Sequence, residues 1–333
     1  STKTGRDVTN QQDAIATIYE PIREQLTQVD SKLRALADEG DFILKELVGH
    51  TSQAGGKKMR PAITLLASRF HPNDGTLPNL MAAAVELLHV ASLVHDDSVD
   101  NADVRRGIAT VSNLWGDGVA VLLGDYLFAT SAVFVCDTGN IKVVRRFADT
   151  IRELSQGELM ESFGAFQWDR DFAEYTRRIY NKTASLFRTS AEGGAILSGA
   201  DDTVVQAFVE YGYGIGMAFQ IVDDILDFEG TEDEVGKPVG HDLLQGTLTL
   251  PAMLLLERYP ENNPVIRIFK GEDPKANRQL AIEMIRNSSI IEDSYAVAQG
   301  YLDTAATAIK ILPDIIERRS LLALLDYVTE RKL

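Results

Sequence analysis

Apolar residues recur at three- and four-residue spacing over Ile15 to Leu36, Ile63 to Phe70, Met81 to Val94, Val119 to Val135, Val143 to Phe163 and Ala207 to Phe228. That spacing puts one apolar stripe on a helix. Alternating strand-like stretches are scarce. The helical pattern breaks at Gly55-Gly56, His71 to Pro78, Gly107 to Asp117, Thr138-Gly139-Asn140 and Glu229 to Thr249, where glycine, proline and polar residues gather. With no proline-rich linker and no solenoid repeat, the pattern predicts an all-α fold: a single helical bundle over residues 1–333 around a central cavity, with residues 1–12 a flexible N-terminal segment.

A chain of 333 residues with 45% hydrophobic composition can bury a large core. The stretch from Gly118 to Cys136 is apolar enough to raise the question of a membrane span, but Asp125 interrupts it. It reads as a buried core helix, so no transmembrane segment is expected, and Cys136 reads as a buried structural thiol. A lone cysteine forms no intrachain disulfide, and STKTGRDVTN has no apolar stretch resembling a signal peptide; both fit a cytoplasmic protein. A net charge of −16 argues against nucleic acid as a partner.

Two acidic clusters of one form change the picture: Asp96-Asp97-Ser98-Val99-Asp100 and Asp223-Asp224-Ile225-Leu226-Asp227. Each follows an uncharged, mostly apolar run, Ala91 to Val94 and Gly216 to Val222. On a helix, Asp96 and Asp100 project from one face a turn apart, as do Asp223 and Asp227. A single such cluster is as readily a solvated helix end. Two of them on apolar segments point to carboxylates converging on hard cations, and oxygen ligands of this kind suit Mg²⁺, which shares itself with phosphates.

Basic residues stand in two places. Gly55-Gly56-Lys57-Lys58-Met59-Arg60-Pro61 sets Lys57 and Arg60 three apart, and a cationic helix start is relieved by an anion. Arg105-Arg106-Gly107 follows the first acidic cluster, and Arg forks grip phosphate oxygens bidentately. The charged stretch Glu229 to Gly240 hangs on the second cluster with Lys237 as its one cation, either a closing loop or a plain surface connection. His89 reads more readily as a satisfied core histidine, although it precedes Asp96 by two turns and so faces the same way; His95 and His241 sit beside acidic residues.

The order GGKKMRP, ELLHVASLVHDDSVD, RRG, GDYL, NKTA, FQIVDDILD and GKPVG, from Gly55 to Pro251, resembles the trans-isoprenyl diphosphate synthases of the polyprenyl synthetase family. Ala207 to Pro251 most resembles the medium- and long-chain bacterial enzymes. The resemblance implies Mg²⁺-dependent head-to-tail condensation of isopentenyl diphosphate with an allylic diphosphate, three Mg²⁺ per site and a homodimer. It assigns Asp96, Asp100 and Asp223 to the metal, with Asp97, Asp224 and Asp227 as shared or supporting ligands. Lys57, Arg60, His89 and Arg106 then bind isopentenyl diphosphate, Arg105, Lys182 and Lys237 hold the allylic diphosphate, and Thr183, Gln220 and Phe219 face the carbocation. Small Ala91 and Ser92 leave the product tunnel open below Asp96, toward Val85 and a floor at Phe147. Thr247 stands where the family often has lysine, and Arg331-Lys332 is a basic C-terminal end that either approaches the site or frays. Three other readings are weighed: a short-chain synthase, a terpene cyclase, which has no need of the separate Lys57, Arg60 and Arg106 grip, and a partner subunit of a heteromeric synthase.

Overall fold

A computed structural model describes residues 3–53, 56–232 and 237–331. Gly55, Lys332 and residues 233–236 of the charged loop, all part of the sequence reading, lie outside them. The all-α class holds: a hairpin of two-residue strands is the only β structure among the described residues. They group into two compact units, each assembled from three stretches of chain. One takes residues 1–149, 186–209 and 309–324, the other 150–185, 210–308 and 325–333.

The first unit begins with α1 (Lys3–Ile18), which covers much of the segment expected to be flexible. The periodic run from Ile15 to Leu36 is not one helix. Pro21 cannot supply an interior N–H, and a 3-10 turn at Glu20–Ile22 separates α1 from α2 (Arg23–Glu39). Then come α3 (Phe42–Gln53), α4 (Met59–Ala67) and α5 (Thr76–Val99). After the first acidic cluster come β1 (Val104–Arg105), just ahead of the predicted break, and β2 (Ile108–Ala109), within it, paired antiparallel. Their two-residue turn has positive φ at both Arg106 (50°) and Gly107 (77°), the handedness that matches strand twist in tight hairpins. A short α6 (Val111–Trp115), α7 (Asp117–Asp137) and the start of α8 (Ile141–Phe163) follow.

Leu87, Ala91 and Val94 of α5 pack with Ala120, Leu123 and Leu127 of α7 and with Leu36, Leu47 and Val48. Each buried leucine of this cluster contributes about 1.5–3 kcal/mol. In the same unit α10 (Ser185–Leu197) passes so close to α4 that a Cβ on Gly194 would stand 2.2 Å from the Thr64 carbonyl oxygen, and the Thr64 hydroxyl donates to the Ser190 carbonyl at 2.8 Å.

Two expectations fail at α7. It is not a buried core helix: Ala120, Leu123, Gly124, Leu127, Ser131 and Val135 form one buried stripe, while Leu122 is 69% and Val133 56% exposed. Cys136, one position off that stripe, is exposed instead of buried. The helix is apolar on all sides, but α5 covers only one. By length and composition both α5 and α7 could cross a membrane; α5 is mostly buried within the fold, α7 much less so.

The second unit holds the rest of α8, α9 (Phe172–Ile179), most of α11 (Asp202–Glu229), α12 (His241–Leu244), α13 (Leu250–Arg258), α14 (Pro264–Phe269), α15 (Pro274–Arg286), α16 (Ile290–Ala308) and the end of α17 (Ile316–Glu330). Phe228, Leu243, Leu255, Val265, Ile268 and Ile285 centre its core. Arg286 caps the end of α11, donating to the carbonyls of Phe228 and Gly230 at 2.7 Å each.

Gly124 offers a test of the α5–α7 contact. A Cβ there would lie 2.1 Å from His95 Nε2, which now contacts the Val121 carbonyl at 3.0 Å, and the His95 ring packs tilted at 42° against Phe128. Alanine gains about 1 kcal/mol of helix propensity over glycine, against an overpacking cost of about 1–3 kcal/mol. Gly124→Ala should therefore lower the melting temperature in the native background and raise it in His95→Ala. Thermal unfolding of the four proteins checks the sign change.

Candidate active site

The first acidic cluster sits where α5 ends. Asp100 is its C-cap, with its N–H donating to the Asp96 carbonyl at 2.8 Å, so the two residues are one turn apart as the sequence pattern required. Asp96 is half-buried and Asp100 exposed. Asp97 points elsewhere. Its buried carboxylate is gripped by Arg105, whose Nε lies 3.0 Å from both oxygens and whose Nη2 lies 2.8 Å from Oδ1. Arg105 therefore neutralises Asp97, which leaves it committed to a carboxylate of its own unit.

The neighbouring basic group is built by short-range geometry. The Tyr19 hydroxyl donates to the Lys57 carbonyl at 2.8 Å, and Lys58, left-handed at φ 53°, pairs with Asp30. This turn exposes Lys57 just before α4 begins and puts Arg60 in its first turn. The Arg60 guanidinium lies 4.4 Å from the centre of the Phe187 ring, and its Nη1 is 3.4 Å from His89 Nε2. Arg106, at the tip of the hairpin, brings Nη1 to 2.9 Å from where a Cβ on Gly56 would be, so a side chain there would push the guanidinium aside. Burial, then the charges of Arg60, Arg106 and Arg105, holds the His89 imidazole well below its ordinary pKa, so it is neutral. Glu86, one turn earlier on α5, is pushed up by burial but opposed by Arg60, Lys58 and Arg106. Of the residues assigned to chain length, Ala91 is fully buried in the α5–α7 cluster, while half-buried Ser92 donates to the His89 carbonyl at 2.7 Å. Val85 and Phe147 are both buried.

In the second unit the three aspartates of α11 have three different surroundings. Asp224 accepts from the Tyr175 hydroxyl at 2.6 Å and from Gln220 Nε2 at 2.9 Å. Asp227 accepts from the backbone N–H groups of His241 and Asp242, both at 3.2 Å, at the start of α12. Burial first, and Asp242 second, pushes both carboxylates above their ordinary range. Among the described residues Asp223 pairs with Arg331, whose Nη2 is 2.7 Å from Oδ1. That approach is an ion pair by distance but too bent for a hydrogen bond, so Asp223 Oδ1 is buried and accepts none.

Thr183 and Lys182 sit in a π-helical turn, Tyr180–Ala184. Such turns frequently mark functional sites because they re-aim side chains. Gly157 of α8 makes room for it: a Cβ there would stand 2.8 Å from the Lys182 nitrogen. Lys182 Nζ is paired with Glu161 at 2.8 and 3.1 Å. Burial would raise the Glu161 pKa, but Lys182 and Arg178 hold it below the usual range. The Thr183 hydroxyl donates to Gln220 Oε1, which joins Thr183, Gln220, Asp224 and Tyr175 in one chain of hydrogen bonds. Lys237 is exposed, and Thr247 lies beside Leu248, whose carbonyl accepts from the buried Arg178 at 2.5 Å. His95 lies 3.4 Å from Asp125.

Sequence reasoning passed over Glu86, Glu161, Tyr175 and Arg178. Glu86 was signalled by the run ELLH, a carboxylate three residues before His89 on an apolar helix, and Tyr175-Arg178 by the same spacing.

The donor set fits a divalent cation. Asp223 Oδ1 has lone pairs that no hydrogen bond uses, and the candidate ligands are all oxygens. Among the described residues no three His, Cys, Asp or Glu side chains close into a ready-made cage, so substrate oxygens would have to complete the coordination.

Comparison with known proteins agrees with this chemistry. The polyprenyl synthetase family model matches residues 41–291. Component 2 of heptaprenyl diphosphate synthase from Geobacillus stearothermophilus is 38% identical over 319 residues, covering 95% of this chain and 99% of that protein. Two crystal structures superpose with TM-scores of 0.90. One is heptaprenyl diphosphate synthase from Staphylococcus aureus, 34% identical over 94% of this chain and 99% of that one. The other is a polyprenyl synthase from Caulobacter crescentus complexed with calcium and isoprenyl diphosphate, 30% identical over 96% and 98%.

The neutral His89 gives a pH signature. A histidine whose folded pKa is depressed contributes stability that is fully present above its ordinary value of 6.5 and is lost as pH falls below it, because only the unfolded chain takes the proton readily. His89→Gln should lose less stability than the native chain between about pH 6.5 and 5, and urea unfolding across that window measures it.

Proposed function

We propose that this chain, which belongs to the polyprenyl synthetase family, condenses isopentenyl diphosphate head-to-tail with an allylic diphosphate and repeats the step to a medium- or long-chain all-trans polyprenyl diphosphate. Prenyl transfer is the activity of the family. The observation that most supports the site is the division of labour within the α11 cluster: Asp224 and Asp227 are held by protein donors, while Asp223 keeps a buried oxygen that no hydrogen bond occupies.

In this reading Asp96, Asp100 and Asp223 hold Mg²⁺, three ions per site, with Asp97, Asp224 and Asp227 supporting them. When bound, Mg²⁺ neutralises the charge that grows on departing pyrophosphate. Lys57, Arg60, Arg106 and neutral His89 bind the diphosphate of isopentenyl diphosphate. His89 gives a directed hydrogen bond there without adding to the repulsion among three cations. Lys182, Lys237 and Arg105 serve the allylic diphosphate; Glu161 orients Lys182, and Asp97 orients Arg105. The Phe219 ring, the Thr183 hydroxyl and the Gln220 amide stabilise the allylic cation, with the Thr183–Gln220 bond fixing the direction of both dipoles.

The exposed apolar face of α7, with Val121, Leu122, Tyr126 and Val133, supports a homodimer. A second reading, in which the chain needs a different partner, is favoured by the name of the Geobacillus relative, a component 2. The lone cysteine supports a cytoplasmic setting.

The test is product analysis by mass spectrometry with the purified chain, its solution mass measured alongside, using geranyl, farnesyl and geranylgeranyl primers with and without isopentenyl diphosphate. Elongation by a homodimer is expected. Inactivity without a second protein would favour the heteromer, and products formed without isopentenyl diphosphate would favour a cyclase. Asp96→Ala and Asp223→Ala should each lower turnover by about two orders of magnitude or more while circular dichroism shows an intact fold, since electrostatic stabilisation of this kind is worth about 3–4 kcal/mol. Near-native turnover in either would remove that residue from the metal site. Ser92→Phe should shorten the product, and unchanged lengths would move the tunnel away from that face of α5. Ala91→Phe should mainly destabilise, by about 1–3 kcal/mol, because Ala91 is already enclosed.

A further inference from the structure

Arg331 follows the last turn of α17, its N–H donating to the Tyr327 carbonyl at 3.0 Å. Although it lies near the end of the chain, its side chain is only 5% exposed. It makes three contacts on one stretch of α11. Nη2 is 2.7 Å from Asp223 Oδ1, the same nitrogen donates to the Phe219 carbonyl at 2.7 Å, and the guanidinium stacks over the Phe219 ring at 3.8 Å from its centre. Two of these partners, the Asp223 carboxylate and the Phe219 ring, are the groups assigned above to the metal and to the allylic cation. The guanidinium thus covers both, and its Nε is buried with no hydrogen bond of its own.

We propose that Arg331 is a tethered counter-cation that occupies Asp223 and the face of Phe219 until a divalent cation arrives with diphosphate, and that it sets how much cation the site demands. This rests on Asp223 being a metal ligand. Two features favour displacement. The contact with Asp223 lacks hydrogen-bond geometry, and Arg331 stands just past α17, which ends at Glu330, so withdrawing its side chain requires no helix to unwind. One movement then uncovers the carboxylate for the metal and the ring for the reacting cation.

Mn²⁺ serves as the probe, titrated into the purified chain with inorganic pyrophosphate, its free concentration read by electron paramagnetic resonance. A competitor that holds the site closed most of the time weakens apparent affinity in proportion to the open fraction, so Arg331→Gln should bind Mn²⁺ about fivefold more tightly. The metal-free protein should melt at a lower temperature in this variant. Arg331→Lys keeps the charge without the planar fork. It should also bind more tightly than the native chain, by a smaller factor, and it carries the test if the glutamine variant does not fold. Unchanged or weaker Mn²⁺ binding in the folded variants would overturn the proposal. Asp223→Asn separates the two claims. Loss of Mn²⁺ binding there upholds Asp223 as a ligand whatever Arg331 does, whereas native-like binding removes Asp223 from the metal site and the competition with it.

Discussion

Carboxylates cannot be left charged and unanswered beside an apolar core, and the arrangement of this molecule follows from that constraint. Six aspartates stand at the ends of two hydrophobic helices. Asp97 is answered by a forked arginine from the hairpin that follows, Asp224 by a tyrosine and an amide, and Asp227 by backbone N–H groups. Each answer is a separate local structure: a two-residue turn with left-handed residues, α9 bringing Tyr175, and a short helix start. The energetics are high-stakes, because an unpaired buried charge costs several kcal/mol.

The basic group of the first unit shows the same constraint with the sign reversed. Arg60, Lys58 and Arg106 all act on Glu86, and Lys58 is paired with Asp30, so carboxylates offset the cations gathered there. The histidine among them stays neutral because it is buried and because these cations oppose a further charge. A cluster of cations held this closely is electrostatically tense, and an anion beside it would relieve that tension.

Much of this was legible in the sequence. The helix pattern found α7 and α8 to within two residues of their ends, and located α5 and α11 while missing five residues at both ends of α5 and at the start of α11, because long apolar runs leave a periodic trace that fades where polar end residues begin. The one-turn relation of Asp96 and Asp100 came from spacing alone. What escaped were contacts distant in the chain and side chains whose environment, not type, decides their role. Glu161 reads as any acidic residue on a helix until Lys182 is placed against it, and nothing in the sequence says that Asp97 turns toward Arg105. The uniformly apolar α7 misled in another way: composition cannot tell a helix buried on all sides from one buried on a single stripe, and the exposed Cys136 follows from that.

The π-helical turn at Tyr180–Ala184 carries a consequence for sequence change in this region. A π turn is what one inserted residue makes of an α-helix, and each residue of an α-helix rotates the next side chain by about 100°. Lys182 and Thr183 therefore point where they do, relative to α9, because the chain has one residue more than a regular helix needs. A deletion of one residue here would keep every functional side chain in the sequence, restore an ideal helix, and still swing the ammonium and the hydroxyl away from Glu161 and Gln220. At this point substitutions are the tolerable changes and length is the intolerant one, so the spacing between Tyr175 and Lys182 is as much a part of the site as either residue.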